Sequence, residues 1–217
     1  MACVNTKNLC YVFPKRQELV SELDFDVVTL EYIKQVLRRD PDDTSFDDTL
    51  NVYIESAIDI IEAWTGLILR QQTLKAYNDC FPAGFKLNPI NPYNSVYTSV
   101  TSVQYIDTDD NTQTLDTGAY NVTTFEYYTR VIFYGVDAFN DPSDRNCEIP
   151  DSVIINYTSG YPDADSIPDE IKAAIGIIVS GLFYSGTCEG SAEYGDCIPC
   201  PAKTLLRKYK PSHFRKI

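Results

Sequence analysis

The residues best suited to chemistry are few and widely spaced. Cys197-Ile-Pro-Cys200, with Cys188 before it and His213 after it, supplies three thiols and an imidazole, a donor set that could bind zinc in a tetrahedral site. The spacing matches no common zinc module, and a second close cysteine pair is absent, so ordinary reduced cysteines are the plainer reading and a redox CxxC the weaker one. Asp107, Asp109 and Asn111 carry the first three spacings of a calcium loop. Thr112 stands where that loop needs glycine and no glutamate closes it, which leaves a turn. His213 is the only histidine and lies in a basic tail, so no Ser-His-Asp or Cys-His centre can be assembled. No glycine-rich phosphate loop occurs. An enzyme would have to work with carboxylates alone, as glycosidases do, and no cofactor is implied.

The acids themselves sit mainly on a helix. From Ser45 to Gly66, apolar residues Phe46, Leu50, Tyr53, Ile54, Ala57, Ile58, Ile61 and Trp64 recur at steps of three and four, the repeat of a helix with one buried face. Ser45 is the expected N-cap, Asp47 and Asp48 suit the first turn, and Gly66 suits a left-handed C-terminal cap. The opposite face carries Asp48, Glu55, Asp59 and Glu62, and no Lys or Arg lies between Arg39 and Arg70.

Around that helix the chain divides into readable parts. Residues 1–27 lack helical period and read as an extended arm. Thr29 caps a short helix with Leu30, Ile33, Val36 and Leu37 on one face, ended by Asp40-Pro41-Asp42-Asp43. Residues 67–165 turn to Tyr, Thr and Val, with strands expected at 72–77, 97–106, 119–122, 130–133 and 152–157 and a hairpin at 108–111. Pro168, Asp169 and Glu170 open a second strong helix, Ile171 to Tyr184, apolar nearly all round and too short to span a bilayer. It is expected to pack against the Ser45 helix. Residues 187–201 form a loop, and 202–217 a short amphipathic helix with a basic end. The fold class is therefore α+β: a small helical bundle from 28–66 and 166–186, with an inserted antiparallel β domain between, an N-terminal arm and a C-terminal arm.

Composition limits the function. The 217 residues carry a formal charge of -13, which opposes a grip on nucleic acid through its phosphates. No signal-peptide core and no membrane-length apolar run occur, so synthesis in the cytoplasm is expected. Seven scattered cysteines fit reduced thiols better than a disulfide framework. Against the acidic body stands the run Lys203 to Ile217, with six Lys or Arg and no acid, interleaved with Leu205, Leu206, Tyr209 and Phe214. That contrast suggests a docking arm.

The order of segments resembles the head-tail connector, or adaptor, proteins of tailed double-stranded-DNA phages and gene transfer agents. The likeness rests on Val28-Thr29-Leu30-Glu31 and the acidic helix ending Trp64-Thr65-Gly66. It continues through Ser99 to Tyr105 before the acidic hairpin, Val153 to Tyr161 running into Ile167-Pro168-Asp169-Glu170-Ile171, and Leu205-Leu206-Arg207-Lys208-Tyr209. The resemblance implies a virion protein without catalytic activity: a dodecameric ring in the neck below the portal, extending the DNA channel and offering a platform to a tail, tube or stopper protein. DNA would pass without specific binding. The portal-docking arm would be Lys203, Leu205, Leu206, Arg207, Lys208, Tyr209, Lys210, Pro211, Phe214, Arg215 and Lys216. Asp48, Glu55, Asp59 and Glu62 would line the channel. A carboxylate-based enzyme or ligand-binding β domain is the alternative, which facing carboxylates in a deep pocket would support. Cys188, Cys197 and Cys200 find no role in either.

Overall fold

The computed structural model describes residues 11, 12, 14–79, 81, 84–87, 98–107, 109–125, 128–134, 150–185 and 198–209. The protein is mixed α+β and divides into two compact units. One joins residues Leu23–Arg70 to Tyr161–Ile217 and the other joins Met1–Glu22 to Gln71–Gly160.

The first unit holds the helices, α1 (Leu30–Val36), α2 (Asp47–Thr65), α3 (Asp169–Ser185) and α4 (Cys200–Leu206), the last continued by a 3-10 turn at Arg207–Tyr209. Thr29 caps α1 as its sequence predicts, its hydroxyl accepting the Tyr32 amide at 3.2 Å. The helix stops earlier than the Asp-Pro cluster would suggest. Leu37 is its C-cap and Arg38 turns left-handed at φ 55°. In α2 the apolar repeat is buried as expected, at Leu50, Ile54, Ala57, Ile58 and Ile61. Ser45 is not the N-cap. Phe46 occupies that position without a side-chain bond, and the Ser45 amide instead donates to the Asp43 carboxylate at 3.0 Å. At the other end Gly66 adopts φ 73° and its amide returns to Glu62, as a left-handed cap requires.

Helix α3 packs on α1, α2 and α4. Ile171, Ala174, Ile175, Ile178 and Val179 are buried. Burying each of the isoleucines contributes roughly 1.5–3 kcal/mol. Helix α1 comes close to α3 at Gly176, where a Cβ would meet both Val36 methyls at 3.4 Å, the near limit of ordinary contact. Lys34 is buried and ties α1 to the α2 entrance. Its ammonium donates to the Pro41 carbonyl at 3.0 Å and lies 2.7 Å from Asp47 Oδ1, a charge contact rather than an aligned hydrogen bond.

The second unit contains β1 (Tyr11–Val12), β2 (Arg16–Glu22), β3 (Gln72–Asn78), β4 (Gly84–Leu87), β5 (Ser99–Ile106), β6 (Thr112–Thr114), β7 (Tyr120–Phe125), β8 (Tyr128–Phe133) and β9 (Val153–Ser159). A five-stranded antiparallel sheet runs β2-β3-β9-β5-β6, and a four-stranded sheet runs β1-β4-β8-β7 with β1 parallel to β4. Strand β9 alternates buried and half-buried along its length, as a central strand with one covered face should. Its Tyr157 is fully buried, burial pushes its phenol well above the ordinary range, and the hydroxyl accepts from Gln17 at 3.1 Å. Phe81 joins the sheets, its ring 5.0 Å from Phe133 and 5.6 Å from Tyr105.

The expected N-terminal arm needs correction over 16–22. This stretch is β2, paired with β3 although all seven of its residues are exposed. Surface polar contacts add to its backbone ladder. Arg16 lies 3.9 Å above the Tyr77 ring and bonds to Asp151, Glu18 accepts from Tyr77 at 2.7 Å, and Lys15 pairs with Asp79.

Because no atom lies within 4 Å of a Cβ built at Gly66, replacement there tests conformation alone. Gly66→Ala should lower unfolding free energy by about 1–2 kcal/mol in chemical denaturation, and Gly66→Asn should restore part of it.

Candidate functional site

Of the possible zinc and redox residues, Cys200 alone falls among the described residues. Cys188, Cys197 and His213 lie outside the described residues, and Cys200 is an exposed thiol at the start of α4. Among the described residues no group of three or more His, Cys, Asp or Glu side chains could hold a metal ion. The Asp107 cluster is a turn. Asp107 Oδ1 accepts the amides of Asp109 and Asn111, each at 2.9 Å, while Oδ2 accepts from Gln113 at 2.8 Å. Its oxygens thus close the β5–β6 hairpin, helped by left-handed Asp110 at φ 62°. The Gln113 side chain, then the Asn111 amide, hold this carboxyl below its usual range.

The acids of α2 divide into two kinds. Asp48 and Asp59 face solvent. Glu55 is held by Arg70 through a two-pronged contact of 2.8 and 2.6 Å, and Arg70 also donates to the Phe25 carbonyl. Glu62 accepts the Leu69 amide at 2.6 Å, so its carboxylate helps close the chain reversal after the helix. Sequence spacing placed these four acids on one face, but two of them have structural work. The signal for Glu55 was present in Arg70, the first cation after the acidic run.

The C-terminal segment departs further from its expected form. Leu206 and Tyr209 are only 0% and 2% exposed, with Ala202 and Ile198 buried beside them, because α4 packs against α3. Of the expected apolar stripe, Leu206 and Tyr209 are therefore turned into the fold, while Leu205 is half-buried. Tyr209 and Lys208 are fastened to the first turn of α3: Glu170 Oε1 accepts from Lys208 at 2.8 Å and Oε2 from the Tyr209 hydroxyl at 3.3 Å. The Lys208 bond holds the Glu170 carboxyl below its usual range. Arg207 and Lys208 face solvent, whereas Lys210, Pro211, Phe214, Arg215 and Lys216 lie outside the described residues.

One surface feature escaped the sequence reading. Phe46, at the entrance to α2, meets Phe183 near the end of α3 edge-on at 5.5 Å, and Phe183 meets Tyr184 at 5.2 Å. The Arg39 guanidinium lies 4.9 Å from the Phe46 ring and 5.3 Å from the Phe183 ring. Phe46 is 40% exposed and Tyr184 64%. Helical period assigned Phe46 to the core, and nothing local shows that the last turn of α3 runs past its cover.

No family model matches the chain, and no curated protein matches it. Solved structures do. A chain in the neck of an empty gene transfer agent particle, computed with C6 symmetry, aligns with TM-score 0.62 and 14% identity over 90% of this chain and 95% of that one. A chain in the virion of a native gene transfer agent particle gives 0.62 and 17% over 89% and 94%. Another, from the native neck computed with C12 symmetry, gives 0.52 and 16% over 89% and 94%. The chain has the fold of a gene transfer agent neck component. No helix among its described residues is long and apolar enough to cross a membrane.

The hairpin chemistry sets a pH dependence. A carboxylate with a depressed pKa stabilises the fold above the ordinary value near 3.9, and that stabilisation disappears as pH falls through the lower folded value. Asp107→Asn should therefore lower the melting temperature by a few degrees at pH 7, and the difference from the parent should shrink toward pH 2. Added calcium should leave the parent's melting temperature unchanged.

Proposed function

We propose that the protein is a non-catalytic structural component of the neck of a tailed DNA particle, an adaptor forming a ring below the portal. The observation that carries this reading is fold likeness to neck chains over nearly the whole of both chains. Their C6 and C12 symmetries support a closed ring, of which a dodecamer is the form proposed here. Ring closure requires contacts between different faces of adjacent copies. Such a ring would extend the DNA channel and meet a tail, tube or stopper protein below.

Charge supports a passive channel. With Asp48 and Asp59 exposed and a net charge of -13, a lumen lined by α2 would repel phosphates and let DNA slide without binding. In this reading Glu55 and Glu62 shape the helix and its exit rather than the lumen potential, because Arg70 and the Leu69 amide engage them. Portal contact is assigned to the solvent-facing charge of Arg207, since Glu170 already engages Lys208.

Cryo-electron microscopy of the particle neck tests the reading. A ring of this chain beneath the portal with Asp48 and Asp59 facing the lumen is the expected result; its absence from the neck, or a basic lumen, would reject it. Arg207→Glu should slow attachment to portal-bearing heads at least severalfold and leave the melting temperature within about 2 °C, since exposed charges at an interface rim act mainly on encounter rate.

A further inference from the structure

We propose that the aromatic patch of Phe46, Phe183, Tyr184 and Arg39 is a docking site for residues 210–217 of a second copy of the chain. This inference rests on the ring reading and names a contact between neighbours that would close it.

The patch has the composition of an interface centre. Exposed Phe and Tyr rings with an Arg stacked on them are the residue types that dominate binding energy when covered. They contribute little to the fold where they stand, with Tyr184 64% and Phe46 40% exposed. The arrangement is nevertheless fixed: Tyr184 donates its hydroxyl to the Leu37 carbonyl at 2.8 Å, and Phe183 lies edge-on to both neighbouring rings. A preformed aromatic surface avoids much of the ordering cost of binding. Exposed Asp40, Asp42 and Asp48 lie within a few residues of Arg39 and Phe46 along the chain, so acids are available beside the patch for a basic partner segment.

What fits such a surface is an aromatic side chain carried between cations. Residues 210–217, Lys-Pro-Ser-His-Phe-Arg-Lys-Ile, provide Phe214 and Ile217 with Lys210, Arg215 and Lys216, and no acid. The segment's point of departure decides between the same copy and another. Tyr209 is fastened to Glu170 in the first turn of α3, whereas Phe183 and Tyr184 stand in its last turn, about 20 Å along the helix axis. Phe214 is five residues beyond Tyr209, so even fully extended its backbone reaches at most about 18 Å, short of the patch on its own chain. With the arm at one end of α3 and its receptor at the other, copies are linked head to tail, the type of contact from which a ring is built.

Complementation between two variants tests the contact. One chain ends at Tyr209 and keeps the patch; the other is full length and carries Tyr184→Ala with Asp42→Lys. Both should melt within a few degrees of the parent, because the changes are at exposed positions or beyond Tyr209. Mixed, they should form one-to-one pairs in native mass spectrometry, pairs that neither forms alone and that raised salt weakens. A labelled peptide of residues 210–217 should bind the shortened chain at least tenfold more tightly than a shortened chain carrying Tyr184→Ala and Asp42→Lys. Absence of mixed pairs, or equal peptide binding to both shortened chains, would overturn the proposal. Tight peptide binding without mixed pairs would assign the arm to its own chain and overturn it likewise. Neither negative result bears on whether the neck contains a ring of this protein, which the reconstruction of the neck decides.

Discussion

The helical unit depends on covering α3. A helix that is apolar nearly all round cannot face water on any broad side, and here α1, α2 and α4 each take part of its surface. Those covering helices come from both sides of the β insertion in sequence, so the unit closes only after the chain has passed through all of β3 to β9. The entropy of closing so long a loop rises only slowly with its length, and a well-buried helix can offset it. Helix α1 comes close to α3 at Gly176, and the buried Lys34, held by Pro41 and Asp47, fixes where the chain leaves α1 and enters α2.

That packing also determines which groups remain for function. Once Leu206 and Tyr209 are committed to the cover of α3, the basic segment is divided. Its first part is structural, with Arg207 exposed and Lys208 held by Glu170. The opposite end of α3 runs beyond its cover, which leaves Phe183 and Tyr184 at the surface beside Phe46. One helix thus buries Leu206 and Tyr209 at one end and leaves an aromatic surface exposed at the other.

The β unit is stabilised differently along its width. In the centre, β9 has one row of fully buried residues, and Asn156 on the other row bonds to Ser102 and Gln104 of β5. At the edge, β2 buries none of its side chains and relies on backbone pairing to β3 with surface ion pairs and the Arg16–Tyr77 stack. Exposed pairs of this kind contribute about 0–1 kcal/mol each. The backbone ladder is therefore the main reason that this stretch is ordered as a strand.

Much of the fold was legible because the periodic elements bury one face each. The apolar repeat located α2, the Pro-Asp-Glu opening located α3, Gly66 marked a left-handed cap, and the expected strands at 72–77 and 152–157 fall on β3 and β9. Residues 16–22 were not legible, since a strand whose side chains are all exposed has no burial pattern to display. For the candidate site, the sequence determined that acids share a face of α2 and that cations and aromatics crowd the C-terminus. Only tertiary structure decided that Arg70 engages Glu55, that Leu69 engages Glu62, and that Leu206 and Tyr209 point inward while Phe46 and Tyr184 remain outside. Periodicity reports that a side chain is apolar and which neighbours share its face; whether that face is covered depends on segments distant in sequence.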